Sequence, residues 1–153
     1  SEMCIRDRHS RVVVERDWAE GLPLCEINPD HLKQVFLNLV LNALDAMPEG
    51  GVLRVSTAPD RLVPVRGGTP REAVRIEFTD TGGGIPPEVM ARLFEPFLTT
   101  KEQGSGLGLS VSYSIIQAHH GHISVKSQPG AGSTFTIVLP VRQPTTREGG
   151  AAV

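Results

Sequence analysis

The segment from Asn28 to Met47 constrains the fold most strongly, because it has the pattern of a long helix with one buried face. Its apolar residues recur at spacings of three and four, as in a helix that packs against a core. They are Leu32, Val35, Phe36, Leu39, Val40, Ala43 and Met47. Asn28 or Asp30 is suited to cap its start, and "PEGG" ends it. The sequence therefore predicts a helix that runs to about Met47 and needs a second layer to pack against.

A line of polar side chains runs beside this apolar stripe rather than opposite it. Gln34, Asn38, Asn42 and Asp45 are separated by four, four and three residues, which places them along one edge of the helix. Asparagine is a mediocre helix former, because its amide competes for backbone hydrogen bonds. The edge is therefore either a solvated border of the helix or a surface that holds a polar ligand.

Strand patterns lie on both sides of the helix. "RVVVERDWA" and "GLPLCEIN" precede it as short strands, and "VLRVST" follows it. "AVRIEF" alternates strictly, so Val74, Ile76 and Phe78 point one way, and Asp80 continues the count toward the core. A carboxylate aimed inward needs a polar partner. Residues 59–70, rich in Pro, Gly and Arg, are expected to form an exposed connecting loop.

The second half of the chain continues to alternate helices and strands. "PEVMARLF" is predicted to be a short helix, and the last strands are predicted around "ISV" and "FTIVL". A further helix is marked by Leu107, Val111, Ile115 and Ala118. This order predicts an α+β fold, a two-layer α/β sandwich in which the helices lie on one face of a mixed sheet.

The length of 153 residues, with 39% apolar content, suits one domain with a sizeable core. We expect that domain to span residues 9–141. Residues 1–8 share no periodicity with the residues after them and are interpreted as a non-native or linker segment outside the fold. Residues 142–153 are interpreted as a flexible tail.

Charge and cysteine content narrow the class of partner. The net charge is −2 without a basic cluster, so neither nucleic acid nor an acidic membrane surface is expected to bind. Without a long apolar run or a signal-peptide pattern, the segment is expected to be cytoplasmic and to make no direct membrane contact. Two cysteines without a CxxC pair indicate neither a zinc site nor a disulfide framework. Small molecules are therefore the expected ligands.

Two glycine clusters point toward phosphate binding. "DTGGGI" follows the predicted buried strand, and "GSGLGLS" opens a helix. Glycine lets backbone amides approach phosphates, and a helix N-terminus favours anions. Each cluster alone fits a tight turn equally well. Because neither GxGxxG nor a P-loop "GK" occurs, a nucleotide would have to be held in another way.

Four motifs in order carry a resemblance to a known family. "NLVLNALDAM", "DTGGGIP", "LFEPFLTTK" and "GSGLGLS", followed by "GSTF", resemble the N box, first glycine box, F box and second glycine box of bacterial sensor histidine kinases. The similarity is to their catalytic and ATP-binding domain and spans roughly residues 11–140. That family belongs to the gyrase, chaperone, kinase and mismatch-repair ATPase superfamily with the Bergerat fold, which agrees with the predicted sandwich. "NALDAMPEGG" and "PFLTTK" resemble the nitrogen-regulation-like kinases with a short lid.

The resemblance implies ATP and Mg²⁺ as ligands and assigns them residues. Asn42 matches the asparagine whose side-chain oxygen binds magnesium, a suitable ligand for a hard cation. Asn38, one turn earlier, would reach the same region and is, with Lys101, a candidate catalytic residue, whereas Asp45 lies on that edge without an assigned role. Asp80 matches the aspartate that accepts the adenine amino group, and Thr134 resembles a late threonine near the adenine.

The resemblance also assigns residues in the loops. Gly82 and Gly84 would let the backbone pass close to the base. The second glycine box, with amides toward the phosphates and leucines as anchors, comprises Gly104, Gly106, Leu107, Gly108 and Leu109. Lys101 lies in the lid, where its cation would meet the γ-phosphate, although a solvated lysine fits there equally well.

Three histidines, His119, His120 and His122, lie where the family has a helix end with "HGG". The resemblance favours structural roles for them over a metal site. In this interpretation His122 replaces the second glycine.

Asn38 also bears on the reaction. Superfamily members that hydrolyse ATP place a glutamate one turn before the magnesium asparagine as general base, and an amide cannot take up that proton. Intrinsic hydrolysis is therefore expected to be poor.

Histidine kinases transfer the γ-phosphoryl group to a histidine on a separate dimerisation domain. None of the histidines of this chain has the surroundings of that acceptor. The implied partners are the dimerisation domain of the parent kinase and, indirectly, a response regulator. A non-catalytic adenine-nucleotide-binding module and an ATP hydrolase remain alternative hypotheses.

Overall fold

The computed structural model describes residues 2–6, 11–64, 67–95 and 108–143, and for residues 2–6 the backbone alone is described. The strands are β1 Glu2–Arg6, β2 Arg11–Asp17, β3 Gly51–Leu62, β4 Arg71–Asp80, β5 His122–Gln128 and β6 Gly132–Pro140. The helices are α1 Pro29–Ala46, α2 Pro87–Met90 and α3 Gly108–Ala118. The strands form one sheet in the order β1-β2-β3-β4-β6-β5. Only β2 and β3 pair in parallel, so the sheet is mixed, as predicted.

The core lies between one face of the sheet and the two longer helices. Leu39 of α1 and Ile116 of α3 are fully buried against Phe78 of β4 and Ile137 of β6. These strand residues alternate with exposed or half-buried neighbours, so only one sheet face is covered. The α+β sandwich predicted from the sequence is confirmed.

Helix α1 has the cap and the end that its sequence predicts. The Asn28 side-chain oxygen accepts the backbone N–H groups of Asp30 and His31 at 3.1 and 3.2 Å, and Pro29 occupies the first turn. Met47 follows the last helical residue and is buried. Because the start, face and end of α1 are all specified locally, the residues on its polar edge have a defined orientation.

The loop predicted for residues 59–70 is wrong at its start, since β3 continues to Leu62 with Pro59 inside it. β3 pairs with β2 only as far as Ser56, whereas its pairing with β4 extends to Leu62. Beyond Ser56 the other edge of β3 is therefore released from the β2 ladder, and a residue without an N–H is tolerated there.

The segment before α1 differs from the prediction in two places. Residues 21–28 form no strand, and the Leu24 side chain is 94% exposed. Residues 1–8 were expected to lie outside the fold, whereas Glu2–Arg6 pair antiparallel with β2. An edge strand is held by backbone hydrogen bonds, so its sequence need not show the alternation of a half-buried strand.

Helix α3 presents a different face from the predicted one, and the helix predicted for "PEVMARLF" is confined to Pro87–Met90. Ser112 and Ile116 of α3 are fully buried, whereas the predicted stripe residues Val111 and Ile115 are half-buried. Leu107, the first residue of that stripe, lies outside the described residues. Ser112 can be buried because its hydroxyl donates to the Gly108 carbonyl at 2.8 Å.

Candidate functional site

Asp80 ends β4 with its side chain inward and only 4% exposed, as the alternation predicted. Its Oδ1 accepts the Gly82 backbone N–H at 2.9 Å, and its partner on β6 is Ser133. Burial raises the pKa of Asp80 above its ordinary value, and the backbone N–H groups of Gly82 and Ser133 act in the opposite direction. We call Asp80, Gly82, Ser127, Gly132 and Ser133 the aspartate end of the site.

The glycine-rich loop after Asp80 is tied to the turn between β5 and β6. The Gly130 N–H donates to the Gly83 carbonyl at 2.7 Å, and the Ile85 N–H donates to Ser127 Oγ at 2.7 Å. Gly84 has a left-handed φ of +79°, and a Cβ there would lie 2.3 Å from the Gln128 carbonyl oxygen. Only glycine allows this close approach, so the loop has a defined position beside the carboxylate.

Gly82 has a close neighbour of its own. A Cβ on Gly82 would lie 2.5 Å from the carbonyl oxygen of Ala46, the last residue of α1. The two glycines that were predicted to approach a base therefore also pack against protein backbone. Their contact with a base remains a prediction.

Thr134, which was predicted to lie near the adenine, does not share the sheet face of the Asp80 side chain. Thr134 pairs with Thr79, and their side-chain oxygens are 3.1 Å apart on the sheet face that the helices leave uncovered. Ser133, one residue earlier, pairs with Asp80 and is 5% exposed. Ser133 has the same parity as Phe135 and Ile137, so the alternation of β6 was the signal that identifies it.

A second group of polar side chains joins α1 to the start of α3. The Asn38 amide nitrogen donates to the Gly108 carbonyl oxygen at 3.1 Å and to Ser112 Oγ at 3.3 Å. A carbonyl oxygen can only accept, so the amide nitrogen of Asn38 must face it. Asn42 lies one turn later on α1 and is half-buried. We call Asn38, Asn42, Gly108 and Ser112 the asparagine end of the site.

Other residues predicted near this end differ in how far they are buried. Asp45 is exposed, and Leu109 is partly buried against the core, where it anchors the first turn of α3. A Cβ on Gly108 would meet Asn38 at an ordinary contact distance of 3.7 Å, so packing alone does not require this glycine. Four predicted residues lie outside the described residues: Lys101, Gly104, Gly106 and Leu107.

The two ends lie along the same edge of α1. Gly82 contacts Ala46 at the end of this helix, and Asn42 and Asn38 lie one and two turns before Ala46. At 1.5 Å per residue, the distance from Ala46 to Asn38 is about 12 Å. The site therefore offers a buried carboxylate at one end and a helix N-terminus with amide side chains at the other.

His119 has a structural role. Its Nδ1 lies 2.8 Å from the Ile115 carbonyl oxygen, which requires an N–H there, and its Nε2 accepts the Asn28 backbone N–H at 3.0 Å. His119 thus joins the end of α3 to the cap of α1. Among the residues that the structure describes, no three His, Cys, Asp or Glu side chains are grouped as a metal site would require.

The left-handed residue in this cluster is His120, not His122. His120 has a φ of +58° in the turn after α3, whereas His122, which takes the place of the family's second glycine, is exposed at the start of β5. Gly121 between them is also constrained, since a Cβ there would lie 2.6 Å from the Val138 carbonyl oxygen. His120 is therefore conformationally unfavourable in the turn that ends α3, where glycine is preferred.

A sequence model of the family described as "Histidine kinase-, DNA gyrase B-, and HSP90-like ATPase" matches residues 27–143. This range includes both ends of the site. The chain belongs to this family. The resemblance seen in the four motifs is thereby confirmed.

Relatives of known name agree with this membership. Sporulation kinase E of Bacillus subtilis is 42% identical over 134 residues, which are 88% of this chain and 17% of that protein. The sensory histidine kinase/phosphatase NtrB of Vibrio alginolyticus is 40% identical over 132 residues, 85% of this chain and 37% of that protein. The chain thus spans well under half the length of these relatives.

A solved structure shares the fold over most of both chains. The catalytic domain of histidine kinase ThkA, in a nucleotide-free form, matches with a TM-score of 0.65 at 30% identity. The match covers 84% of this chain and 80% of that domain. Full-length ShkA in complex with AMPPNP matches 86% of this chain with a TM-score of 0.63 at 28% identity, over 26% of its own length. Within the described part of the chain, no helix is long and apolar enough to span a membrane.

Proposed function

We propose that this domain binds Mg-ATP and donates the γ-phosphoryl group to a histidine on the dimerisation domain of its parent kinase. The proposal rests above all on Asp80, a buried carboxylate at the end of β4 beside a tightly held glycine loop. Membership of the ATPase family and the named kinase relatives support it. ATP is a cytoplasmic metabolite, so we place the domain in the cytoplasm.

The aspartate end suits adenine. A carboxylate oxygen accepts the 6-amino group of adenine, whereas guanine would place a carbonyl oxygen against it. A buried group that loses its hydrogen-bond partner is costly, so this contact discriminates strongly between the two bases. Gly82 and Gly84 would then carry the loop past the base without side chains in the way.

The asparagine end suits phosphates and a magnesium ion. The N-terminus of α3 offers backbone donors and a favourable dipole to an anion. The Asn42 side chain has the amide oxygen that a hard cation prefers, and Mg²⁺ commonly takes few protein ligands besides phosphates and waters. We assign Asn42 to the metal and keep Lys101, with Gly104 and Gly106, as proposed phosphate contacts.

Asn38 is better understood as a residue that positions α3 than as a catalytic one. Its amide nitrogen is engaged by Gly108 and Ser112, which holds the start of α3 against α1. A glutamate here would face the Gly108 carbonyl oxygen with a negative charge. This environment disfavours a general base and therefore argues against an ATP hydrolase.

In the proposed step the acceptor nitrogen forms a bond to the γ-phosphorus as the bond to the bridging oxygen of ADP breaks. The proton of that histidine passes to a group on the dimerisation domain. The residues of this chain hold the donor and orient it, which is the main protein contribution in phosphoryl transfer. Tethering in the parent protein would raise the effective concentration to about the millimolar range.

A phosphotransfer assay tests the proposal. The chain is mixed with the dimerisation domain of its parent kinase and γ-labelled ATP, with Asn42→Ala as the test variant and the exposed edge residue Gln34→Ala as the matched control. We expect label on the acceptor histidine with the wild type and Gln34→Ala, and much less with Asn42→Ala. Saturating ATP binding without transfer would favour the regulatory binding module, and rapid phosphate release by the isolated chain would favour a hydrolase.

A further inference from the structure

Two serine hydroxyls lie together at the aspartate end. Ser127 Oγ and Ser133 Oγ are 3.0 Å apart, on neighbouring strands that pair at these residues. Ser127 Oγ also accepts the Ile85 N–H at 2.7 Å and lies 3.2 Å from the Gly132 carbonyl oxygen. Neither serine was identified from the sequence. Ser127 shares the parity of Ile123 and Val125, which places it on the same sheet face as Asp80.

The hydrogens of this pair can be arranged in two ways. A hydroxyl has one hydrogen to donate and two lone pairs that accept, and one lone pair of Ser127 is used by Ile85. If Ser127 donates to the Gly132 carbonyl, the Ser133 hydrogen points to Ser127. If Ser127 donates to Ser133 instead, the Ser133 hydrogen is free to face a ligand.

Adenine requires the second arrangement. Its 6-amino group donates and its neighbouring ring nitrogen N1 accepts, so a protein that holds the amino group with a carboxylate needs a donor for N1. The Ser133 backbone is paired with Asp80 in the β4–β6 ladder, which leaves the Ser133 hydroxyl as the donor that this residue can offer.

We propose that Ser127 is a positioning residue for adenine recognition, because it donates its hydrogen to Ser133 Oγ and so orients the Ser133 hydrogen toward N1 of the base, directly or through a water. This inference rests on the proposed binding of ATP. The same Ser127 oxygen holds the glycine loop through Ile85. Ser127 therefore links the position of the loop to the direction in which the Ser133 hydroxyl donates.

The test compares ATP with 1-deaza-ATP, in which a C–H replaces the N1 acceptor. Calorimetric affinities are measured for the wild type, for Ser127→Ala and for Ser124→Ala. Ser124 is a matched control, because it lies on the same strand but is exposed on the other face. In Ser127→Ala no donor orients the Ser133 hydroxyl toward N1, so we expect ATP binding to weaken about 5-fold, the value of one hydrogen bond. It should weaken 1-deaza-ATP binding much less, and Ser124→Ala should change neither affinity.

The outcomes separate a role toward N1 from a merely structural one. Equal weakening of both nucleotides in Ser127→Ala would mean that Ser127 only supports the loop, and it would overturn the inference. If Ser127→Ala does not fold, Ser127→Cys replaces it, because a thiol is only a weak donor. Ser127→Cys should then weaken ATP binding more than 1-deaza-ATP binding. A wild type that binds ATP and 1-deaza-ATP equally would overturn the inference while the proposed function stands. A wild type that binds neither would overturn both.

Discussion

The aspartate end and the asparagine end are built in different ways. At the aspartate end, Asp80 and Ser133 face each other on paired strands, so the register of the sheet sets their positions. At the asparagine end, Asn38 reaches Gly108, which is 70 residues away, and the contact depends on how two helices pack. The proposed recognition of the base therefore depends on the sheet register, whereas the proposed phosphate region depends on a small number of contacts between helices.

This difference predicts where the site is sensitive. A change at the aspartate end acts on backbone that cannot shift without loss of sheet hydrogen bonds, so it should cost much stability. A change at the asparagine end should cost less stability and act mainly on the position of α3. Substitutions at both ends, and one outside them, test this contrast in order of decreasing effect.

The largest effect is expected for Gly132→Ala at the aspartate end. Gly132 has a φ of +90°, and a Cβ there would lie 2.2 Å from the backbone oxygen of Asp80. We expect the free energy of unfolding to fall by about 3 kcal/mol or more, since a clash between paired strands cannot relax. Chemical denaturation measures it.

Gly130→Ala is the matched control for this variant. Gly130 has a similar φ of +81°, but nothing lies within 4 Å of a Cβ placed there. Its cost should be about 1 kcal/mol, the conformational penalty alone. Equal losses in the two variants would contradict the close packing inferred at the aspartate end.

Asn38→Asp tests the asparagine end. An ionised carboxylate would face the Gly108 carbonyl oxygen, and the two hydrogen bonds that the amide donates would be lost. We expect a loss of about 1–3 kcal/mol in the free energy of unfolding, together with weaker nucleotide binding. Gln34→Glu makes the same amide-to-acid change at an exposed position of the same helix and should have little effect. Similar losses in both variants would show a general effect of charge on α1.

The pH dependence of stability tests the burial of Asp80. We expect its effect on stability to be smaller than the effects of Gly132→Ala and Asn38→Asp. Because burial raises its folded-state pKa above the ordinary 3.8, this residue favours the fold most when protonated. The stability of the wild type relative to Asp80→Asn should therefore fall as the pH rises through the folded pKa of Asp80, and it should be highest below about pH 4. Unfolding curves for both proteins over this range measure the difference. A difference that grows with pH would contradict the direction of the shift.

The smallest effect is expected for His120→Gly, which lies outside both ends. Glycine relieves the left-handed backbone at the end of α3 and should stabilise the fold by about 1 kcal/mol without changing ATP affinity. Thermal unfolding and calorimetric titration measure the two quantities. His122→Gly, in an exposed strand position, should not stabilise the protein. An altered ATP affinity in His120→Gly would mean that the end of α3 influences the site.

The sequence predicted those features that a local period specifies. The 3.6-residue period located α1 and its polar edge, and the two-residue alternation oriented Asp80 inward. The same alternation, continued backward from Phe135, indicates that Ser133 rather than Thr134 shares the sheet face of Asp80.

Other features have no local signature. The contacts of Asn38 with Gly108 and with Ser112 join residues far apart in the chain. The strand Glu2–Arg6 is paired through its backbone, so its side chains do not show the pairing. Only the packing of the whole domain reveals these elements.

Selection of adenine by the buried carboxylate of Asp80 underlies the proposed function. It is tested most directly by calorimetric titration of the wild type and Asp80→Asn with ATP and with GTP in the presence of magnesium. We predict that the wild type binds ATP and discriminates against GTP, and that Asp80→Asn loses about 100-fold in ATP affinity, since its amide oxygen still accepts from Gly82 but an NH2 donor replaces the second carboxylate oxygen. Equal affinity of the wild type for both nucleotides, or unchanged ATP binding in Asp80→Asn, would contradict this role of Asp80.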